Sequence, residues 1–322
     1  MPNITIQTGQ PTVDLNPMRH VSSVSSLMTG VSSSNASSPI SNQHERVTLF
    51  LGTPQSADIT MEKNLLSTIG GYLHRLGNKD LAQYPLVFST RQGYETFCQL
   101  RDKLPEASAT PPPRSNDDKG LNHAFLYAIK NIDAHYAGDF NFNPDQKIYI
   151  VGGGKAGLDA ITVGDRYFTM GMVAQILSNI GVHQDTKDIR LTSSASADAT
   201  VVDDVTKHDV DKHSDPHHSP INLLGLSFLP IGEKTDYAPA QYLAKSLYEN
   251  GFKQATVRGY HGEGIRVSGD RYPEHHLRNA YLPTNPAFNP ENTARRSTVA
   301  HDFTHDMNHP RDHNINHISD ID

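Results

Sequence analysis

The sequence contains no tryptophan and only one cysteine among its 322 residues. Because Cys98 is alone, no disulfide bond can form within the chain. It stands in the segment YETFCQLRDKL, whose helical spacing predicts a buried helix residue rather than a nucleophile. Hydrophobic residues make up 36% of the chain, less than is usual for globular proteins. We therefore expect part of the chain to lie outside a packed core.

Positive charge is also scarce. The formal net charge is −7, and no segment is dense in lysine and arginine, which argues against a nucleic-acid partner. No apolar run reaches the roughly 18 residues that a membrane helix needs. The N-terminus lacks the basic and then apolar pattern of a secretory signal peptide. The composition thus predicts neither a nucleic-acid surface nor a membrane span.

Changes in composition divide the chain into three parts. Residues 1–45 are polar and rich in serine, which predicts a disordered segment. Residues 46–282 carry the periodic patterns of one domain, interrupted by a proline-rich linker or long loop at 104–120 and a polar insert at 203–220. The periodic patterns end there, which predicts a disordered His/Asp-rich tail over residues 283–322.

Within the domain, strand-like segments such as KIYIV and DIRLTSS alternate with amphipathic helical segments. This alternation predicts an α/β fold with a mostly parallel twisted sheet flanked by helices. One right-handed crossover would make these two strands neighbours. Since ligands bind beyond the C-terminal ends of parallel strands, Gly152–Gly154 and Ser193–Ser196 are the candidate site segments.

The glycines after KIYIV fit the dinucleotide-binding pattern G-x-G-x-x-G at Gly152, Gly154 and Gly157. A nucleotide loop opens directly into a helix, whose N-terminus holds the phosphates. Here the following residues favour a β-hairpin that turns at Gly164-Asp165, with a helix beginning only near Thr169. Nucleotide binding is therefore an alternative that requires a helix starting at Gly157.

The succession of VGGGK, a hairpin, a helix and RLTSSAS resembles the layout of a protease family. These are the inositol-hexakisphosphate-activated, self-cleaving cysteine protease domains of large bacterial toxins and the OspB-type type III effectors, which have caspase-like folds of clan CD. The resemblance covers roughly residues 46–282. It implies a caspase-like domain in a secreted virulence effector that is delivered into a host cell, for which the Ser-rich residues 1–45 would be the leader.

Two positions depart from the family pattern. Gly153 stands where the family has its histidine base, and Ser194 stands where it has its cysteine nucleophile, or Ser193 if the match shifts by one residue. A glycine cannot accept a proton, and a serine without a base is a poor nucleophile. The resemblance thus predicts a degenerate protease-like domain that binds a host protein or an inositol phosphate, and whether it is an enzyme stays open.

Family members bind the inositol phosphate through lysine and arginine side chains. Basic residues of the C-terminal half that could cluster are candidates for binding inositol hexakisphosphate, although they do not match the family's pocket one by one: Arg190, Lys253, Arg258, Arg266 and Arg271. A solvated surface is the competing interpretation of these residues.

An active hydrolase is a further alternative. Ser194 would be the nucleophile, His261 the base and Glu263 the orienting carboxylate. This requires a histidine nitrogen within about 3.2 Å of the Ser194 hydroxyl. The opposing interpretation is that the segment YHGEG around His261 is a solvent-exposed turn, with glycines that take positive φ.

Histidines recur every fourth residue near the C-terminus, and the first three, His301, His305 and His309, are candidate metal ligands. Residues four apart share a helix face, which suits a two-histidine metal site. Pro310 would break such a helix, so a flexible tail that gains charge near pH 6 is the competing interpretation. A second cluster in the polar insert would bind a metal weakly: His208, His213, His217 and His218 with Asp209, Asp211 and Asp215.

Overall fold

The structure is a computed structural model that describes residues 45–52, 84–107, 118–164, 166–222, 230–265 and 277–306. The strands are β1 (Arg46–Phe50), β2 (Leu86–Phe88), β3 (Ala134–Tyr136), β4 (Lys147–Val151), β5 (Ala160–Val163), β6 (Arg166–Thr169), β7 (Asp188–Leu191), β8 (His217–Asn222), β9 (Pro230–Asp236), β10 (Thr256–Tyr260), β11 (Glu263–Ile265), β12 (Leu277–Asn279), β13 (Ala294–Arg295) and β14 (Ala300–Phe303). The helices are α1 (Arg91–Lys103), α2 (Asp118–Asn131), α3 (Met170–Asn179) and α4 (Pro239–Glu249).

Seven strands form the main sheet in the order β3-β2-β1-β4-β7-β10-β14. The first six are parallel, and β14 pairs with β10 in the antiparallel direction. The predicted α/β fold with a mostly parallel sheet flanked by helices is confirmed. The strand order turns back between β1 and β4, a point at which sheets of this kind commonly bind ligands.

The two faces of the central strands differ in chemistry. In β4, Ile148 and Ile150 are fully buried in the main hydrophobic cluster, which also includes Leu177 of α3 and Leu243 of α4. Side chains alternate between the faces of a strand. The opposite face therefore carries Tyr149, which stands in register with Arg190 of β7. One face is thus an aliphatic core, and the other combines aromatic and charged groups.

The hairpin and late helix predicted after Gly157 are both present. Strands β5 and β6 pair in the antiparallel direction, and Gly164 at their turn has a φ of 64°. Helix α3 begins after Thr169, whose Oγ1 accepts a hydrogen bond from the Met172 amide at 3.2 Å. No helix among the described residues is long and apolar enough to cross a bilayer.

The C-terminal boundary predicted at residue 283 is wrong, because the chain is structured as far as residue 306. Strand β14 adds an edge to the main sheet, and Val299 and Phe303 are buried. A four-residue strand is too short for its own periodicity to reveal it, and its pairing depends on β10. Residues 307–322 and the Ser-rich residues 1–44 lie outside the described part of the chain.

The polar insert at 203–220 is also more structured than its composition predicts. Val205 and Val210 are buried in a small cluster with Val202 and Val299. Residues Val210–Ser214 form a 3-10 turn, and β8 pairs with β9. The segment is polar on average, but its few valines pack together, and the average polarity of the segment does not reveal this cluster.

Candidate functional site

Two loops meet beyond the C-terminal ends of β4 and β7, which are parallel neighbours. At Gly154, an added Cβ atom would lie 2.5 Å from the carbonyl oxygen of Ser194 and 2.8 Å from the Oγ atom of Ser193. A backbone oxygen at that distance leaves no space for a side chain at position 154. The predicted contact between the glycine segment and the serine segment is therefore confirmed.

Gly153, which the resemblance matches to a histidine position, is hydrogen-bonded to a second strand. Its amide donates to the Thr162 carbonyl at 2.7 Å, and its own carbonyl accepts from the Thr162 amide at 2.9 Å. A Cβ atom at Gly153 would come within 2.4 Å of the Thr162 Oγ1 atom. Any side chain here would require the Thr162 side chain to rotate away, and glycine itself supplies no proton acceptor.

Ser194, which the resemblance matches to a cysteine position, is buried, and its Oγ atom accepts a hydrogen bond from the Gly264 amide at 3.2 Å. The neighbouring Ser193 hydroxyl is buried and has no hydrogen-bond partner in the described residues. Ala195 follows with a φ of 50°, in the left-handed region that alanine rarely adopts. Within the described ranges, no imidazole hydrogen-bonds to either hydroxyl.

The loop after β7 is tied to the end of β10. The Ser196 hydroxyl donates to the Leu191 carbonyl at 2.7 Å and accepts from the Tyr260 amide at 2.9 Å. The Ala195 amide donates to the Gly262 carbonyl at 2.8 Å. These bonds align the two loops so that the side chains following them, Asp198 and His261, face each other.

Asp198 and His261 form a fully buried pair. The Nδ1 atom of His261 lies 2.5 Å from the Oδ1 atom of Asp198, and both side chains are 0% exposed. The second carboxylate oxygen of Asp198 accepts a hydrogen bond from the Gly262 amide at 2.8 Å. The carboxylate therefore fixes both the ring orientation of His261 and the turn that follows it, where Gly262 has a φ of 68°.

Asp211 lies on the opposite side of the His261 ring. Its Oδ1 atom is 3.2 Å from the Nε2 atom of His261 and 3.1 Å from the Nδ1 atom of His301. Asp211 belongs to the 3-10 turn of the polar insert, and His301 belongs to β14. The two histidine-rich clusters of the sequence thus each supply one residue to a single site, which neither spacing pattern reveals.

The two carboxylates set the charge of His261. Burial alone would lower the pKa of its imidazole, but the hydrogen bonds to Asp198 and Asp211 outweigh burial and raise the pKa to about 8. The hydrogen bonds from His261 and His301 hold the pKa of Asp211 well below its usual range. In the absence of other ligands, His261 is therefore a cation between two anions near neutral pH.

This arrangement differs from the hydrolase geometry considered for the sequence. Both ring nitrogens of His261 contact carboxylates, so neither is directed at Ser194. The carboxylate that orients His261 is Asp198 and not Glu263. The interpretation of YHGEG as an exposed turn is also wrong at its histidine, which is buried because two long-range carboxylates stabilise it.

Two of the candidate basic residues for inositol phosphate binding, Arg190 and Arg258, are already paired with carboxylates. Arg190 and Arg258 stand in register on β7 and β10, as predicted for a cluster. Arg190 makes a bidentate contact with Asp188, with both N···O distances at 2.9 Å, and Arg258 does the same with Asp302 at 2.7 and 2.9 Å. Their charges are therefore largely balanced within the sheet.

Lys253 lies apart from these arginines. Its Nζ atom donates to the Tyr248 carbonyl at 2.8 Å and lies 3.7 Å from the centroid of that ring. Arg266 and Arg271 fall outside the described residues. The structure therefore brings two of the five candidates together.

Arg278, which no sequence pattern indicated, contacts the backbone of the serine loop. It is 2% exposed and donates to the carbonyls of Thr192, Ser193 and Gly262 at 2.9–3.2 Å. Burial lowers the pKa of its guanidinium to about 9. Arg278 lies in a segment without periodicity, so the sequence does not indicate that its side chain is buried and bonded to backbone carbonyls.

Of the tail histidines predicted as metal ligands, His301 approaches other ligand groups, as Asp211 of the second predicted cluster does. His305 stacks on the Tyr248 ring with a centroid distance of 3.8 Å. His309 lies outside the described residues. The predicted helical spacing is wrong for His301, because that residue belongs to a strand.

Comparison with known proteins yielded no match to a protein-family model, to a curated protein or to a solved structure.

Proposed function

We propose that this protein is a secreted bacterial effector whose caspase-like domain acts by binding a partner and does not hydrolyse peptide bonds. One observation carries the proposal. At the ends of β4 and β7, the family's base and nucleophile positions are occupied by Gly153 and Ser194, and the Ser194 hydroxyl contacts the Gly264 amide instead of an imidazole. Delivery into a host cell is proposed from the Ser-rich residues 1–45 together with the family resemblance.

The chemistry of this strand end supports the absence of hydrolysis. General-base assistance contributes about 10²–10⁴-fold to a reaction, and position 153 has no acceptor to provide it. A serine hydroxyl at its free pKa is a weak nucleophile. His261, which the sequence suggested as an alternative base, has both ring nitrogens bonded to carboxylates. Peptide hydrolysis at Ser194 would therefore proceed near the background rate.

A host protein is favoured over an inositol phosphate as the partner. Recognition of a polyphosphate depends on cations that are available for bidentate contacts. Arg190 and Arg258 already make such contacts with Asp188 and Asp302. Inositol hexakisphosphate is nevertheless the first small ligand to test, because the family resemblance implies it.

The test uses the purified full chain with and without inositol hexakisphosphate. Intact mass and a pool of quenched fluorescent peptides report self-cleavage and cleavage in trans, with Ser194→Ala as the matched variant. We expect no cleavage by either protein. Cleavage by the wild-type chain that Ser194→Ala abolishes would contradict the proposal. A ligand at 100 times its Kd adds about 2.7 kcal/mol to the free energy of unfolding. Thermal stabilisation of this size by inositol hexakisphosphate would therefore favour an inositol phosphate over a host protein as the ligand.

A serine hydrolase is the second candidate, and one observation favours it. The left-handed backbone of Ala195 places a strained turn directly after Ser194, and strained turns occur often at active sites. The hydrolase would require His261 to exchange a carboxylate contact for the Ser194 hydroxyl. Covalent labelling by a fluorophosphonate, located at Ser194 by mass spectrometry, would establish this candidate.

A further inference from the structure

We propose that Asp211, His261 and His301 bind a divalent transition-metal ion, with zinc as the ion to test first. The proposal does not depend on the partner that the domain binds. The three residues come from the polar insert, from the turn after β10 and from β14. Their ligand atoms all lie within 4.8 Å of one another.

The distances are close to those of a coordination sphere. Two ligand atoms that are each about 2.1 Å from a tetrahedral zinc ion are about 3.4 Å apart. The Asp211 Oδ1 atom lies 3.2 Å from the His261 nitrogen and 3.1 Å from the His301 nitrogen. A metal ion between these atoms would need only a small separation of the three side chains.

Asp198 supplies the support that metal-binding histidines generally have. A ligating histidine almost always donates its other ring N–H to a carboxylate, carbonyl or water, which fixes the tautomer and the ring orientation. The Nδ1 atom of His261 faces the Asp198 carboxylate at 2.5 Å, and the Gly262 amide holds that carboxylate in turn. The Nε2 atom is thereby directed at Asp211, on the side where the ion would sit.

The charges of the site match a divalent cation. Metal binding requires deprotonated ligands, which here means neutral imidazoles at His261 and His301. The carboxylates of Asp198 and Asp211 would then carry two negative charges around the site. An ion of charge +2 balances them and replaces the cationic imidazole that balances them when the site holds protons.

The site is closed on one side and open on the other. The His261 side chain is 0% exposed, whereas His301 is 18% and Asp211 is 50% exposed. A groove lined by Asp211, His208 and Ala300 borders the site. Three protein ligands with an accessible remaining position are the arrangement of catalytic zinc sites, in which water or substrate completes the coordination. The fourth ligand would therefore be water or a group from a bound partner.

Zinc binding to the full chain tests the proposal. After EDTA treatment and dialysis, calorimetric titration with Zn²⁺ measures stoichiometry and affinity, and the visible spectrum of the Co²⁺ protein reports coordination by nitrogen and oxygen. We expect one tight ion in the wild-type chain. Asp198→Asn should weaken binding about 10–100-fold by releasing the His261 ring, and Asp211→Asn and His301→Ala should weaken it at least as much.

The matched control is His183→Ala, which removes an exposed histidine of the loop after α3 that belongs to neither histidine-rich cluster. It should bind zinc as the wild-type chain does. Circular dichroism checks that each variant is folded. Because Asp211 is half-exposed, we expect Asp211→Asn to retain the fold. Wild-type affinity in both Asp211→Asn and His301→Ala would place the ion on other histidines and overturn the proposal. A wild-type chain that binds no zinc would overturn it as well.

Discussion

The Nδ1 atom of His261 lies 2.5 Å from the Oδ1 atom of Asp198, which precedes it by 63 residues. This buried contact joins the loop after β7 to the loop after β10. It directs the other ring nitrogen of His261 at Asp211 and away from the serine loop. The same contact thus holds the His261 nitrogens away from Ser194 and orients a candidate metal ligand.

Asp198→Asn should strongly destabilise the fold. Removing one partner of a buried ion pair typically costs about 3–5 kcal/mol, because the remaining charge is left buried and uncompensated. Urea denaturation measures the change. The control is Asp209→Asn, which removes an exposed carboxylate paired with Lys212 on the surface and should leave stability unchanged. Equal stability of the two variants would show that the buried pair does not stabilise the fold.

Gly154→Ala should force the strand-end loops apart. Its Cβ atom would lie 2.5 Å from the backbone oxygen of Ser194, which cannot move without the whole loop. Overpacking of this kind costs about 1–3 kcal/mol or more. Gly171→Ala is the matched control, because the nearest atom to its added Cβ is 3.9 Å away. A neutral Gly154→Ala variant would contradict the close contact between the two loops.

Arg278→Met should loosen the serine loop. The substitution leaves the buried carbonyls of Thr192, Ser193 and Gly262 without this donor. The Gly262 carbonyl keeps its hydrogen bond from the Ala195 amide, whereas the other two carbonyls lose this donor. Each unsatisfied buried group costs about 1–3 kcal/mol, so we expect a loss of about 2 kcal/mol in denaturant unfolding. Arg295→Met, at an exposed position of β13, is the control and should have little effect. Equally small changes in the free energy of unfolding for both substitutions would contradict this role of Arg278.

The metal-free protein should lose stability as the pH rises from 6 to 9. The pKa of His261 in the fold is about 8, above the ordinary value of about 6.5, so the folded state holds the proton more tightly. The resulting stabilisation, about 2 kcal/mol, is complete below pH 6.5 and is lost as the pH rises through 8.

Urea denaturation in EDTA at several pH values measures this loss. Asp211→Asn removes one of the two carboxylates that raise the pKa of His261, and its stability should depend less on pH over the same range. If wild-type stability is constant or rises between pH 6 and 9, His261 does not hold an additional proton in the fold.

Local patterns in the sequence were sufficient to predict the sheet and the meeting of Gly154 with Ser194. Both follow from the alternation of strands and helices and from the handedness of one crossover, which are properties of short segments. The late start of α3 near Thr169 was predicted for the same reason, because a hairpin turn and a helix cap each depend on a few adjacent residues.

The partners of His261 could not be predicted in the same way. Asp198 is one of several aspartates after β7, and nothing local distinguishes it from Asp203 or Asp204. Asp211 stands in a segment whose average polarity hides the valine cluster that fixes it. Strand β14, which carries His301, exists because β10 offers an open edge. These contacts depend on three-dimensional closure. The sequence indicated His261, Asp211 and His301 in separate hypotheses, but not that the three residues meet.

The protonation state of His261 tests the central claim most directly. Long-range ¹H–¹⁵N correlation spectra of the metal-free protein, selectively labelled at histidine, report the charge of each imidazole at pH 7. We expect the His261 ring to carry protons on both nitrogens, since it is bonded to a carboxylate on each side. A neutral ring with one unprotonated nitrogen, assigned by its loss in His261→Gln, would mean that His261 does not donate to both carboxylates and would contradict the account.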